Sequence, residues 1–248
     1  MKVAIFGAGT MGSGIAQVFA AKGHTALLYA SSVESAQRHK DKLAKSLAKR
    51  VEKGKMTQEA VDALLANVLV AEKCACADAD LVIECVKEDM ATKKVLLAEL
   101  DEICKPETVF ATNTSSLFIT EMAMGLKHSV IGMHFFNPVP SMKLVEIIRG
   151  VNTTQADFDY IYNLTLDIGK EPVEVAEAPG FVVNKILIPM VNEAIGLVET
   201  GVASVEGIDK AMMLGANHPM GPLALGDLVG LDVCLAIMET LYAETGTS

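Results

Sequence analysis

Residues 2–29 read KVAIFGAGTMGSGIAQVFAAKGHTALLY and contain the clearest structural signal of the sequence. An apolar run, KVAIF, precedes a glycine-rich turn, an alanine-rich segment that runs to Lys22, and a second apolar run, TALLY. The pattern predicts a strand, a helix and a second strand. Gly7, Gly9 and Gly12 match G-x-G-x-x-G where a dinucleotide-binding unit requires it, with the pyrophosphate at the helix N-terminus.

The residues after the second strand leave the choice of dinucleotide open. An acidic residue at this point normally binds the adenosine ribose. This sequence reads YASS, with Ala30 in that place. A 2′-phosphate would meet no carboxylate there, so NAD and NADP both stay open, although the nearest arginine, Arg38, is at least a helical turn away. Ser31 and Glu34 form a capping box that predicts a helix over 31–54.

The rest of the chain predicts an α/β fold. Apolar runs alternate with helical segments, which indicates a mainly parallel sheet covered by helices. These runs are residues 68–71, 81–86, 108–112, 130–136 and 143–148. Residues 31–66 are polar and predict a helical arm. From Gly180 onward the pattern is helical throughout, so we predict a first domain over 1–179 and an all-α domain over 180–248.

Composition excludes several classes of protein. The 248 residues include 31 acidic and 21 basic side chains, a net charge of −10, which disfavours nucleic acid and anionic membranes. The apolar stretches 180–201 and 221–238 contain charged residues and predict buried or interface helices. The 5 cysteines show no paired spacing, and no secretory pattern opens the chain. We expect a cytoplasmic protein with reduced thiols and no metal site.

The segment GMHFFNPVPSMKLVE, residues 132–146, has one histidine and one glutamate around a proline-containing turn. A hairpin at that turn would bring His134 and Glu146 side by side. The carboxylate would then fix the imidazole tautomer and leave the other ring nitrogen as a base beside the cofactor. His24, His39, His128 and His218 have no such partner pattern and are expected to be surface or structural residues.

Five motifs together resemble the 3-hydroxyacyl-CoA dehydrogenase family, most closely its bacterial short-chain members that act on 3-hydroxybutyryl-CoA. They are GAGTMGSGIAQ, ATNTSSL, GMHFFNPVPSMKLVEII, APGFVVNKILIPMVNEAI and LGANHPMGPLALGDLVGLD. The resemblance implies a Rossmann-type domain with a helical arm, then an α-helical domain that forms a homodimer. It also implies NAD-dependent interconversion of a 3-hydroxyacyl-CoA and a 3-ketoacyl-CoA.

The same resemblance assigns site residues. His134 corresponds to the general base and Glu146 to its partner, and Ser115 and Asn184 complete the catalytic set. The cofactor contacts it implies are Gly7, Ala8, Gly9, Thr10, Met11, Gly12, Ala30, Glu88, Lys93, Asn113, Ser115 and Asn137. The contacts to the acyl-CoA substrate are Ser46, Lys53 and Ser115. For Ser46 and Lys53 the alternative is a solvated helix face.

The sequence leaves open how the second domain is completed and whether one of two other functions applies. Family members continue through further helices, so either a last segment is missing here or the core is closed differently, for example by the partner subunit. A β-hydroxyacid dehydrogenase acting on a free acid would use a lysine on the long helix, where Lys185 lies. A non-enzymatic relative, crystallin-like or a redox sensor, would bind the cofactor without turnover.

Overall fold

One eight-stranded β-sheet forms the centre of the structure, a computed structural model that describes residues 1–246. The strands are β1 (Lys2–Phe6), β2 (Thr25–Tyr29), β3 (Val68–Val70), β4 (Leu81–Glu84), β5 (Val109–Thr112), β6 (Val130–Phe135), β7 (Leu144–Arg149) and β8 (Glu171–Ala176). Their order in the sheet is β3-β2-β1-β4-β5-β6-β7-β8. Among the strand pairs of residues 1–246, β6–β7 alone is antiparallel. The predicted mainly parallel sheet is therefore confirmed.

Burial explains why the central strands were readable in the sequence. All four residues of β4 are buried, as are all six of β6. Strands covered by helices on both faces appear as continuous apolar runs. β8 was not predicted, because four of its six residues are exposed and its sequence is EPVEVA. It lies at the edge of the sheet, where pairing with β7 supplies its backbone hydrogen bonds.

Six α-helices accompany the sheet: α1 (Thr10–Ala21), α2 (Val33–Glu52), α3 (Gln58–Asn67), α4 (Met90–Ile103), α5 (Ile119–Ala123) and α6 (Gln155–Asp167). α2 and α3 lie in the part of the chain for which a helical arm over 31–66 was predicted. The predicted cap at Ser31 was wrong by one residue, because the Ser32 hydroxyl accepts the bond from the Ser35 N–H at 3.1 Å and the helix begins at Val33. Leu43 and Leu47 pack into the core, so the arm is fixed on one side.

The later part of the chain is helical: α7 (Val183–Glu199), α8 (Val205–Gly215), α9 (Pro222–Val229) and α10 (Leu231–Thr245). Its small core contains Ile188, Val191, Ile237 and Leu241. Asp209 caps α9, with its carboxylate accepting bonds from the backbone of the first turn. In residues 1–246 no helix is both long and apolar enough to cross a bilayer.

The contacts of the chain divide it into two units. The first contains Met1–Thr114 and Phe118–Glu177 with the whole sheet, and the second contains Ser115–Leu117 and the chain from Ala178 onward. The sheet unit is therefore interrupted by three residues that group with the helical unit.

Candidate active site

The glycine-rich turn after β1 has the geometry that a dinucleotide needs. Gly7 has φ +113°, and a Cβ atom there would overlap the carbonyl group of Cys85. A Cβ on Gly12 would overlap the Gly7 carbonyl oxygen, so this glycine lets α1 pack directly against β1. A Cβ on Gly9 would have no protein atom within 4 Å. The backbone at Gly9 is thus open to a ligand at the N-terminus of α1.

A cavity of about 850 Å³ opens beside this turn, at the carboxyl ends of the parallel strands. Gly7, Ala8 and Gly9 form one wall, and Tyr29 and Ala30 form another. This edge of an open parallel sheet is where ligands bind in such folds. The cavity therefore fits a nucleotide, and Ala30 brings no carboxylate to it. Lys87, Thr92 and Leu96 also line the cavity and were not predicted, because they follow β4 or lie on α4, outside the glycine-rich motif.

The antiparallel strand pair brings His134 and Glu146 together. They are directly opposite in the β6–β7 register. Nδ1 of His134 lies 2.7 Å from Oε2 of Glu146, and the side chains are 6% and 1% exposed. A protonated Nδ1 donates to the carboxylate, which makes Nε2 the basic nitrogen of the neutral ring. The pair can therefore accept or return one proton while Glu146 holds the ring.

Asn113 connects the end of β5 to the strand that carries His134. Its Oδ1 accepts a hydrogen bond from the Phe135 N–H at 3.0 Å, and its own N–H donates to the Glu84 carbonyl at 2.8 Å. Asn113 is thereby a fixed support at the carboxyl end of three neighbouring strands, β4, β5 and β6.

Glu88 and Lys93 belong to an ionic network built on the buried Lys93–Glu84 pair, with Glu88 at its partly exposed side. Lys93 is 1% exposed, and its ammonium lies 2.8 Å from both carboxylate oxygens of Glu84 and 3.2 Å from Glu88 Oε2. Burial lowers the pKa of Lys93, but Glu84 and Glu88 outweigh it and the pKa is raised. Thr112 donates to Glu84 at 2.7 Å. Glu84 was not predicted as a site residue, because it lies within an otherwise apolar run, residues 81–86.

Ser115 and Asn184 meet within the second unit. The Asn184 amide nitrogen lies 3.4 Å from the Ser115 carbonyl oxygen, a long hydrogen bond. Ser115–Leu117 are far in sequence from the other residues of the second unit. The hydrogen bond to Asn184 connects them to α7. Met11, predicted as a cofactor contact, packs against the hydrophobic core of the first unit and does not line the cavity beside the glycine-rich turn.

A second cavity, of about 470 Å³, lies between the arm and the turn after β6. Ser46 lines it together with Lys42 and Arg50, one helical turn to either side on α2, and Thr10 and Asn137 line it from the body of the unit. Its positive side chains suit an anionic group. Lys53 is exposed at the C-cap of α2 and outside this lining. Lys42 and Arg50 were not predicted, although their four-residue spacing on either side of Ser46 places all three on one face of the helix.

His39 lines both cavities, and its Nδ1 lies 2.8 Å from the Ser35 carbonyl oxygen. His39 was predicted to be a surface or structural residue, so its place in both linings was not foreseen. In residues 1–246 no three His, Cys, Asp or Glu side chains are grouped so that they could hold a metal ion.

Comparison with known proteins gives a consistent result. Residues 2–178 match the family model described as 3-hydroxyacyl-CoA dehydrogenase, NAD binding domain, and residues 180–248 match its C-terminal domain. A 3-hydroxybutyryl-CoA dehydrogenase of Clostridioides difficile is 54% identical, over 99% of this chain and 89% of its own. The human mitochondrial hydroxyacyl-coenzyme A dehydrogenase is 41% identical, over 96% and 78%. The crystal structure of (S)-3-hydroxybutyryl-CoA dehydrogenase from Ralstonia eutropha has a TM-score of 0.92 and 42% identity, over 99% and 88%.

Proposed function

The chain belongs to the 3-hydroxyacyl-CoA dehydrogenase family, and on that premise we propose that it interconverts 3-hydroxybutyryl-CoA and acetoacetyl-CoA with NAD. The observation that carries the proposal is the buried His134–Glu146 pair at 2.7 Å, in a chain whose first domain is an NAD-binding domain of this family. Relatives named for the same substrate, 54% and 42% identical, support the short acyl chain.

In the proposed oxidation, His134 Nε2 takes the proton of the C3 hydroxyl group. Glu146 accepts the hydrogen bond from Nδ1–H throughout, so the ring keeps one orientation and the imidazolium that forms is stabilised. A nicotinamide dinucleotide held at the glycine-rich turn by Gly7 and Gly9 would supply the acceptor for the hydride that leaves C3. In the reductive direction, protonated His134 returns the proton to the oxygen on C3. Ser115 and Asn184 are proposed to hold the substrate oxygens in line for these transfers.

We place part of the coenzyme A moiety against the second cavity. Ser46 supplies a hydroxyl group there, and Lys42 and Arg50 supply positive charge next to it. Phosphate groups bind well to such a combination, because arginine offers paired donors and lysine a mobile point charge. Lys53 lies at the C-cap of α2, outside this lining, so we propose that its charge acts on the coenzyme at longer range.

The proposed cofactor is a nicotinamide dinucleotide, and the choice between NAD and NADP depends on the residues around the adenosine ribose. Gly7, Gly9 and Ala30 border a cavity that suits the adenosine half of either nicotinamide dinucleotide. Because no carboxylate stands at position 30, we propose that NADP is accepted beside NAD. Glu88 and Lys93 are proposed to act near the nicotinamide ribose, with Glu84 holding Lys93 in place.

We also propose a cytoplasmic homodimer. The five cysteines are free, and the Cys104 thiol donates a hydrogen bond to Cys76 Sγ at 3.7 Å. Free thiols of this kind are usual in reducing compartments such as the cytoplasm. The helical unit has several exposed large apolar side chains, including Leu214 (76%) and Leu235 (59%). A second copy of the chain would cover them.

A steady-state assay tests the proposed reaction. The full chain is incubated with acetoacetyl-CoA and either NADH or NADPH, and consumption of the reduced cofactor is followed by its absorbance. We expect turnover with acetoacetyl-CoA and at least about a hundredfold lower kcat/KM with free acetoacetate, because remote binding energy of the coenzyme is lost. Preference for the free acid would favour the β-hydroxyacid dehydrogenase. Cofactor binding without turnover of either would favour the non-enzymatic relative.

A further inference from the structure

Lys170 is a buried lysine for which the proposed reaction has no use. It lies between α6 and β8 and is 6% exposed. Its ammonium donates to the carbonyl oxygens of Val139 and Met142, both at 2.6 Å. No carboxylate of residues 1–246 pairs with it, and burial lowers its pKa. An ammonium group without a counterion is costly to bury, so the two short bonds must offset that cost.

Both acceptors belong to the turn that joins β6 to β7. Within this turn the backbone N–H groups of Ser141 and Met142 donate to the Pro138 carbonyl oxygen, both at 3.0 Å. Asn137, Pro138, Val139, Pro140 and Ser141 all line the second cavity. The turn is thus one wall of that cavity, and Lys170 contacts it from outside.

α1 contacts the same turn from a different position. A Cβ atom added to Gly14 would lie 2.9 Å from the Val139 Cβ. Val139 is 2% exposed, so it has no room to move outward. Two features therefore fix the position of this wall. Gly14 lets Val139 approach α1 closely, and Lys170 holds the turn through two hydrogen bonds.

We propose that Lys170 is a positioning residue that sets the affinity for the acyl-CoA substrate by holding the cavity wall formed by residues 137–141. It acts through this turn and touches neither substrate nor cofactor. The inference rests on the proposed function, which places the coenzyme against this cavity. It would explain why a buried ammonium group that lowers the stability of the fold is present at position 170.

The test compares KM with kcat in a Lys170→Met variant, which keeps the length of the side chain and removes its donors. We expect the KM for acetoacetyl-CoA to rise about fivefold or more while kcat stays within about twofold, since substrate binding is weakened and the chemistry is unchanged. Lys170→Arg, which retains donors, should recover most of the affinity. Gly14→Ala, which displaces the same turn through Val139, should also raise KM.

The matched control is Thr108→Val. Thr108 is 4% exposed and donates to the Ala79 carbonyl oxygen at 2.8 Å, so its loss also removes a buried hydrogen bond, but at the other end of the sheet unit. The melting temperature of Thr108→Val should fall, and its KM for acetoacetyl-CoA should stay unchanged. If Lys170→Met behaves in the same way, or lowers kcat alone, Lys170 is only structural and the proposal is overturned. If Lys170→Met does not fold, Gly14→Ala and Lys170→Arg decide.

Direct binding separates this inference from the proposed reaction. Titration calorimetry with acetoacetyl-CoA measures affinity whether or not turnover occurs. A wild-type chain that binds the thioester without reducing it would contradict the proposed function alone, and a Kd about fivefold higher for Lys170→Met would still support the role of Lys170. An unchanged Kd would contradict that role even in an active enzyme.

Discussion

Two imidazole–carboxylate pairs are buried in the sheet unit, one at His134 and one at His128. Besides the pair at His134, Nδ1 of His128 lies 2.6 Å from Asp101 Oδ1, and its Nε2 lies 3.0 Å from the Lys105 carbonyl oxygen. Burial raises the pKa of Asp101, but hydrogen bonds from the Lys127 and His128 N–H groups outweigh it and the pKa is lowered. Both ring nitrogens of His128 are thus held by protein groups, which suits a structural role.

The first prediction concerns His134→Gln. We expect kcat to fall by about 10²- to 10⁴-fold, because general acid–base catalysis is lost, while the Kd for NADH is unchanged. Stopped-flow turnover and fluorescence titration of NADH measure the two quantities. His128→Gln is the control: it should lower the melting temperature and leave kcat within about threefold of wild type. A near-normal kcat in His134→Gln would remove the catalytic assignment.

The second prediction concerns Ala30→Asp. A carboxylate at this position would repel the 2′-phosphate of NADPH, so the KM for NADPH should rise about tenfold relative to that for NADH. Ala30→Asn adds nearly the same volume without charge and should leave the ratio within about twofold. Equal changes for both cofactors in Ala30→Asp would mean that this position does not face the adenosine ribose.

At the scale of elements, periodic apolar segments were predictable and local exceptions were not. β1, α1 and β2 follow from residues 2–29 alone, because each segment is long, apolar and separated by glycine. The helix cap was misplaced because Ser31 and Ser32 are equivalent in sequence, and only the backbone decides which hydroxyl reaches an N–H group. The pairing of His128 with Asp101 was also missed, since nothing local marks partners 27 residues apart.

The third prediction separates two glycines of the same turn. Gly9→Ala adds a methyl group where no protein atom lies within 4 Å, so the fold should persist while the Kd for NADH rises about tenfold or more. Gly12→Ala forces the methyl group into the Gly7 carbonyl oxygen and should cost about 3 kcal/mol of stability. Calorimetry and thermal melts measure both variants. Wild-type affinity in Gly9→Ala would contradict the placement of the cofactor.

At the scale of the whole molecule, the sequence was sufficient to predict the class of fold and the histidine–glutamate pair. It did not predict several residues that surround the site. Lys42 and Arg50 could have been found from helical spacing. Lys170 could not, because its acceptors are backbone carbonyls, which have no signature in a sequence. The same is true of Ser115–Leu117, whose grouping with the helical unit depends on packing over a long sequence distance.

The fourth prediction concerns assembly. Leu235 on α10 is 59% exposed in the single chain, and a glutamate there would place charge in the proposed subunit contact. We expect sedimentation equilibrium to show a dimer for the wild type and a monomer for Leu235→Glu. Val151→Glu, at an 83% exposed valine of the sheet unit, is the matched control and should remain dimeric. A monomeric wild type would refute the proposed homodimer.

The antiparallel register of β6 and β7 makes the proton-transfer pair depend on the number of residues between its two members. His134 and Glu146 are separated by 12 positions, and the side chains of each strand alternate between the two faces of the sheet. Substituting residues of the intervening turn preserves that interval, whereas deleting one of them shifts the strands by a step and turns the carboxylate to the opposite face. We therefore expect the length of this segment to be less tolerant of change than its composition.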